Sequence, residues 1–289
     1  MSQSGDKSVA MFHCLSRSGG TAVARYLTAA TGAATFSEIH PRGPAYINRM
    51  EPGRGHLFHI VHQAEEYYGT TMPDSPPSAA LDEAENNEHW LCQVIDHFQS
   101  AGRPVVIRDW PHLDFHGWPE AERADQRMVT RDLLAKHYSI RAVTLVRHPL
   151  AMFMSLIGMQ RYQDKLLNPQ EINHFLLGYL AFAKAIETTP IFQHEAFIEA
   201  PDQVDREMIS GLGLSRADES EATDLAIAPA LTGDRSGRTS SGITKGTAKD
   251  VPLPMLTFFE QQPSYQELLE RLGYEARPKG VINPITGPV

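Results

Sequence analysis

Hydrophobic and polar positions alternate along this chain in a regular rhythm of strands and helices. Val9 to Leu15 is a short apolar run ended by turn residues, which predicts a buried strand. From Thr21 to Thr31 the apolar positions recur at helical spacing, with Val23, Leu27 and Ala30 on one face. Ala34 to Ile39 predicts a second strand. Trp90, Leu91, Val94, Ile95 and Phe98 mark an amphipathic helix stopped by Gly102. Pro104 to Asp109 predicts a strand, Arg127 to Tyr138 a helix, and Ile140 to Arg147 a strand apolar enough for the centre of a parallel sheet. Pro149 then opens a helix with Leu150, Phe153, Met154 and Ile157 on its apolar face; proline at a first helical position forfeits no needed N–H. A helix over Glu171 to Glu187, a strand over Pro190 to Phe197, a helix over Pro201 to Leu212 and a closing helix over Ser264 to Leu272, stopped by Gly273, complete the series.

Strands alternating with helices predict an α/β fold, a three-layer α/β/α arrangement around a central, mainly parallel sheet. One domain is expected over residues 1–289. Two stretches break the rhythm. Residues 41–88 are rich in Pro, Gly, His and Tyr and read as an irregular excursion or lid, with a flexible part around Pro73 to Glu85. Ala228 to Pro252 is rich in Gly, Ser, Thr and Pro and reads as a long loop, of the kind that usually carries function or is disordered.

Composition narrows the function. The 289 residues are 42% hydrophobic and 21% charged, an ordinary globular balance, and the length suffices to bury roughly three quarters of the unfolded surface. The net charge of −9 argues against nucleic acid or an acidic membrane as partner, so an anionic ligand must be gripped by local positive charge. Two cysteines, Cys14 and Cys92, build neither a disulfide framework nor a zinc site. No signal-like or membrane-spanning run is read, and the cytoplasm is the expected location. "HLFHIVH" spaces His56, His59 and His62 three apart, but no H-E-x-x-H arrangement accompanies them, and no metal requirement is expected.

The densest chemistry is "SRSGGT", Ser16 to Thr21, between the first strand and the first helix. A tight strand-to-helix turn aims backbone N–H groups at one spot, and the helix dipole adds about 0.3–1 kcal/mol for an anion. Gly19 and Gly20 permit close backbone approach and positive φ. Ser16, Ser18 and Thr21 offer hydroxyls, Arg17 a full charge, and the first turn runs on through Ala22; together they form a phosphate or sulfate cradle. A nucleoside-triphosphate loop requires G-x-x-x-x-G-K-[ST]. Here Gly20 stands where the lysine belongs and Cys14 where the first glycine belongs. What remains suits a 5′-phosphate carrying a smaller transferable group. Arg147, at the end of a central strand, sits at the ligand edge of the sheet, where a guanidinium binds phosphate oxygens bidentately.

In these residues the chain resembles the sulfotransferases that use 3′-phosphoadenosine 5′-phosphosulfate (PAPS). Their first loop, Ser/Pro-Lys/Arg-Ser-Gly-(Gly/Thr)-Thr, is similar to Ser16–Thr21. Their second element, a strand ending in Arg, then x-Pro, then a helix with Ser eight residues beyond the Arg, is similar to "LVRHPLAMFMS" with Arg147, Pro149 and Ser155. "PIFQHEAFIEAPDQVDREMISGLGL", with His194 and Glu195, and "SYQELLERLGYE" are further echoes. The resemblance implies a P-loop-like sulfotransferase architecture, PAPS as sulfuryl donor and 3′,5′-bisphosphoadenosine (PAP) as product. It implies that the first loop holds the 5′-phosphosulfate and that Arg147 and Ser155 hold the 3′-phosphate. It also implies a basic C-terminal loop over the nucleotide, for which "GDRSGRTSSGITKG" offers Arg238, Ser240 and Ser241.

The acceptor's proton requires a base at a neighbouring strand end. Glu38 is the first candidate, since some branches of the family use a glutamate shortly after the first helix, and His112 the second. Arg17 is expected to stabilise the leaving phosphate, Arg108 to touch the sulfuryl oxygens and Asp109 to orient a neighbour. The Lys-x-His triplet of the cytosolic branch is broken, with Trp110 at the histidine position. The expected partner is a small-molecule hydroxyl or amine acceptor. Tyr46, Phe58, Tyr67 and Tyr68 suggest that it is partly apolar, or else form lid core. A P-loop small-molecule kinase and a non-catalytic nucleotide-binding protein are the alternative readings.

Overall fold

A computed structural model describes residues 7–82, 84–116, 124–158, 168–217 and 248–286. Its centre is a parallel sheet of β1 (Ser8–Cys14), β2 (Ala34–Ile39), β3 (Val105–Asp109), β4 (Ser139–Val146) and β5 (Ile191–Gln193), in the order β2-β3-β1-β4-β5. β1 is the middle strand and its residues from Val9 onward are buried, which is why it reads as an unbroken apolar run.

Strand alternation divides the core into layers. Ala10, Phe12 and Cys14 of β1 pack with Val23, Ala24, Leu27 and Ala30 of helix α1 (Gly20–Thr31) on one face. Val9 and Met11 face the other way. They meet apolar residues from two helices that lie between β2 and β3 in sequence. The sheet thus has a helical layer on each face, the three-layer α/β/α arrangement.

The segment between β2 and β3 corrects the expectation of an irregular excursion. It contains α2 (Gly43–Met50), a 3₁₀ turn (Gly55–Phe58), α3 (Ile60–Tyr68), α4 (Ser78–Leu81) and α5 (Glu88–Ser100). Ile60, Val61, Ala64, Met72 and Leu81 are buried in the core under the sheet. The shorter helices carry too few turns to show a clear period. Buried side-chain amides and a phenol tie the segment to the edge strand. Gln63 accepts from the Ser37 N–H and donates to its carbonyl, at 2.8 and 2.9 Å. The Tyr68 hydroxyl does the same for Thr35, at 2.7 and 2.9 Å. These side chains satisfy the open edge of β2 as a sixth strand would. Asn86 links Ile60, Phe58 and the His40 carbonyl in the same way.

After β3 come α6 (His112–Phe115) and α7 (Val129–Leu134), the latter half the predicted length. The β4 strand leads into α8 (Pro149–Ile157) and α9 (Pro169–Ala185). The expected strand over Pro190–Phe197 is corrected to the three residues of β5 followed by α10 (His194–Glu199) and then α11 (Pro201–Gly211). β5 lies at the sheet edge and pairs only through Ile191, Phe192 and Gln193, so alternation had little length in which to show. The C-terminal part brings α12 (Leu253–Glu260) and α13 (Pro263–Leu272), which pack with α8 and α9 around Phe153, Tyr179, Phe182, Phe259 and Tyr265. Most of the predicted loop at 228–252 lies outside the described residues. Its end is instead a strand, β6 (Lys249–Pro252), paired in parallel with β7 (Ile282–Ile285). Both are four residues long and hold a proline, which hides them from a pattern reading. Among the described residues no helix is long and apolar enough to cross a membrane.

Candidate functional site

The chain runs from β1 outward to β2, returns to β3, then crosses to β4 on the other side of β1. The order therefore reverses between β1 and β4, and the carboxyl ends of these strands form the crevice where open α/β sheets bind ligands. Ser16–Thr21 leaves β1 at this crevice, and Arg147 leaves β4 beside it.

The turn between β1 and α1 is tight. Arg17 has φ 72° and Gly19 φ 88°. Gly19 occupies the N-cap of α1 without a side-chain cap, and the first turn holds no acidic residue, so the positive end of the helix carries no acid of its own. Both glycines are also required by their neighbours. A Cβ on Gly19 would lie 2.3 Å from the His194 ring, and one on Gly20 would lie 2.1 Å from Cys14 Sγ and 3.1 Å from Arg108 Nε.

Arg17 and Ser155, separated by 138 residues of chain, meet where Arg17 Nε donates to Ser155 Oγ at 3.1 Å. Arg147 Nη1 donates to the Arg17 carbonyl at 3.0 Å. The loop, Arg147 and Ser155 thus form one hydrogen-bonded unit. Its outer support was not read from the sequence. Tyr179 Oη accepts from the Arg147 N–H at 3.1 Å and donates to the Arg147 carbonyl at 2.7 Å, fixing that peptide at both ends. Glu195 accepts from the His148 N–H at 3.1 Å and from the Tyr274 hydroxyl at 2.7 Å. Burial, with Glu195 second, pushes the Tyr274 phenol well above its ordinary range, so it stays a donor. Burial and then the Arg147 charge lower His194 to about 4, so this ring against Gly19 is neutral at pH 7. The "HE" dipeptide and the Tyr274 of "SYQELLERLGYE" are traces of these supports in the sequence, but spacing alone gives neither a partner.

The remaining predicted residues fall into three groups. Ser16 Oγ accepts from Trp110 Nε1 at 3.4 Å, Thr21 Oγ1 accepts from Arg108 Nη1 at 3.3 Å, and Ala22 is exposed on the first turn of α1. Ser18 is fully buried and its hydroxyl points at Met152 Sδ, 3.3 Å away. Arg238, Ser240 and Ser241 lie outside the described residues.

The strand-end residues form a buried polar layer beneath the loop. Arg108 is 4% exposed and donates to Ser37 Oγ (2.8 Å), Cys14 Sγ (3.3 Å) and Glu38 Oε1 (3.3 Å) as well as to Thr21. Glu38 stands at a bulge in β2, at φ 58°, with its carboxylate on that guanidinium. His112 opens α6 and lies parallel to the Trp110 ring, 6.4 Å away. Asp109 accepts from Nδ1 of His13, a residue the sequence reading passed over, at 2.8 Å. His40 Nδ1 accepts from the Arg42 N–H and its Nε2 reaches Asp114 at 3.0 Å. Tyr46 and Phe58 are buried against Trp110 and Leu113, and Tyr68 holds the sheet edge, so these three take the core role. Of the histidine trio, His56 is bonded to Asp82 and His59 caps α3. Among the described residues no group of three or more His, Cys, Asp or Glu is placed to hold a metal ion.

No family model and no curated protein sequence matches the chain. Solved structures do. A sulfotransferase domain from the curacin biosynthetic pathway is 14% identical, with 94% of this chain and 99% of that one covered at a TM-score of 0.59. A sulfotransferase domain from the Synechococcus PCC 7002 olefin synthase is 14% identical, with 95% and 98% covered at a TM-score of 0.56. With near-complete coverage in both directions and a parallel sheet whose glycine turn and Arg147 meet at the switch point, this chain has the sulfotransferase fold.

Proposed function

We propose that this protein transfers the sulfuryl group of PAPS to a hydroxyl or amine of a small-molecule acceptor and releases PAP. The observation that carries this reading is the joining of Ser16–Thr21 to Arg147 and Ser155 at the crevice of the sheet. An uncapped helix N-terminus, a turn with no room for side chains at two positions, and an Arg147 guanidinium bonded to the Arg17 backbone suit one ligand bearing two anionic groups. Gly20 in place of a lysine argues against a triphosphate.

The donor supplies an activated sulfuryl group, and the protein positions it and stabilises charge. In this reading the backbone of Gly19–Ala22 and the hydroxyls of Ser16 and Thr21 hold the 5′ end. Arg17 lies where charge grows on the leaving phosphate. Arg147 and Ser155 hold the 3′-phosphate, and Tyr179 and Glu195 keep the Arg147–His148 backbone in place. Arg108 stiffens the floor of the loop while Glu38 balances its charge.

Calorimetry with PAP, 3′-dephosphorylated PAP and ATP–magnesium tests the reading. PAP is expected to bind tightly without metal, and loss of the 3′-phosphate to weaken it. Magnesium-dependent ATP binding with no PAP binding would replace this reading with a kinase. Tight PAP binding with no sulfate transfer to a broad acceptor panel would replace it with a non-catalytic nucleotide-binding protein.

A further inference from the structure

β1 and β3 pair in the register Phe12 to Arg108, which sets the next two residues, His13 and Asp109, opposite each other at the ligand end of the sheet. Alternation puts them on the face opposite Cys14 and Arg108. Below them that face is apolar, with Val9, Met11, Val105 and Ile107. The His13 ring is 0% and the Asp109 carboxylate 1% exposed, and their contact of 2.8 Å uses only one polar atom of each. The other two, His13 Nε2 and Asp109 Oδ1, are buried with no hydrogen-bond partner.

Such atoms are costly and rare. An unsatisfied buried polar group costs about 1–3 kcal/mol, and native interiors satisfy nearly all of them. Two on one pair, one residue away from Cys14 and the loop, point to a guest at each atom. The chemistry of the pair specifies what the guest at His13 Nε2 does. A carboxylate only accepts, so Asp109 fixes the proton of the neutral ring on Nδ1 and leaves a lone pair on Nε2. That is how a carboxylate prepares an imidazole to act as a base. The sequence-based candidates are otherwise engaged, Glu38 with Arg108 and His112 against Trp110.

We infer that His13, backed by Asp109, receives the acceptor's proton at Nε2 through an enclosed water on that nitrogen. This rests on the sulfuryl-transfer reading. In the step, the acceptor O–H or N–H bond breaks and its electron pair forms the new bond to sulfur. The bond from sulfur to the donor's bridging oxygen breaks, and PAP leaves with that pair. The proton passes through the water to His13, whose imidazolium is balanced by the Asp109 carboxylate. The other groups that interact with Asp109 are Arg108 on its own strand, Cys14 on β1, and Asp114 on α6 with its partner His40.

His13→Gln in the full chain keeps an amide able to bond Asp109 but no basic nitrogen, and Asp109→Asn removes the group that fixes the ring. The readouts are PAP binding by calorimetry, release of labelled sulfate from PAPS with water as acceptor, and nitrogen NMR of the wild-type histidine rings. Both variants are expected to bind PAP within about twofold of wild type and to release sulfate about 10²–10⁴-fold more slowly. The pH–rate profile of His13→Gln loses its acidic limb, which a merely structural role would leave in place. The neutral form of the wild-type His13 ring is expected to carry its proton on Nδ1, and this spectrum decides the matter if a variant fails to fold or water proves too poor an acceptor. Sulfate release by His13→Gln equal to wild type, or a wild-type proton on Nε2, overturns the inference while leaving sulfuryl transfer standing. Absence of PAP binding to wild type overturns both, and is recognised by that measurement alone.

Discussion

Arg147 and Arg17 are joined through a peptide oxygen: Nη1 of Arg147 donates to the Arg17 carbonyl at 3.0 Å. Ser155 takes Nε of the same Arg17, so the β1–α1 turn, the end of β4 and helix α8 are tied together at one place.

Arg147→Ala therefore weakens PAP by about 2–5 kcal/mol, the range for truncating one partner of a buried charge pair. It has little effect on the 3′-dephosphorylated analogue. Calorimetry with the two ligands checks this, and equal losses would remove Arg147 from the 3′-phosphate.

Gly20 has no room for a methyl because Cys14 Sγ would lie 2.1 Å from it. Gly20→Ala is expected to cost about 1–3 kcal/mol of stability by overpacking. Cys14→Ala removes the obstructing sulfur, so the double variant recovers part of that loss, although Arg108 Nε remains at 3.1 Å. A double-mutant cycle in urea measures the coupling; strictly additive losses would show that the sulfur is not the obstacle.

Glu195 links the His148 N–H to the Tyr274 hydroxyl. Glu195→Ala leaves both donors without their acceptor and is expected to cost about 1–3 kcal/mol. It also weakens PAP, by loosening the Arg147–His148 turn. Glu195→Gln, which retains one acceptor oxygen, is expected to lose less on both counts.

Acid sensitivity follows from buried histidines. Burial lowers His59, His148 and His194 to about 4 and His116 to about 3, from an ordinary value of 6.5. Below 6.5 the unfolded chain takes up protons that these folded rings refuse, so their contribution is complete above 6.5 and is lost as pH falls towards 4 and below. Asp205, raised to about 6 by burial, works in the opposite sense: its contribution is present below 3.8 and lost as pH rises through 6. Burial also lowers His62 and raises Asp114; five histidines outweigh two carboxyls, and the thermal midpoint is expected to fall steadily from pH 6.5 to pH 4. His116→Phe, next to Phe175, should flatten that fall, measured by calorimetric scans across the range.

The sequence by itself determined the framework and the turn between β1 and α1. β1, β4 and α1 are long, apolar and sharply ended, so period and punctuation reveal them. The glycine turn between β1 and α1 is contiguous, so its chemistry can be read in one glance. Arg147 and Ser155 were legible because a single proline-started helix fixes their spacing. Tertiary structure alone decided the rest. The helices between residues 41 and 88 are docked where a buried amide and a phenol satisfy the β2 edge, a contact no local pattern encodes. Ser18 turned inward because Met152, far along the chain, packs beneath it. Tyr179, Glu195 and Tyr274 reach Arg147 and its neighbour from three separate elements. His13 acquired meaning only when the β1–β3 register set it opposite Asp109, and register depends on how strands are ordered in space, which the residues of either strand do not state.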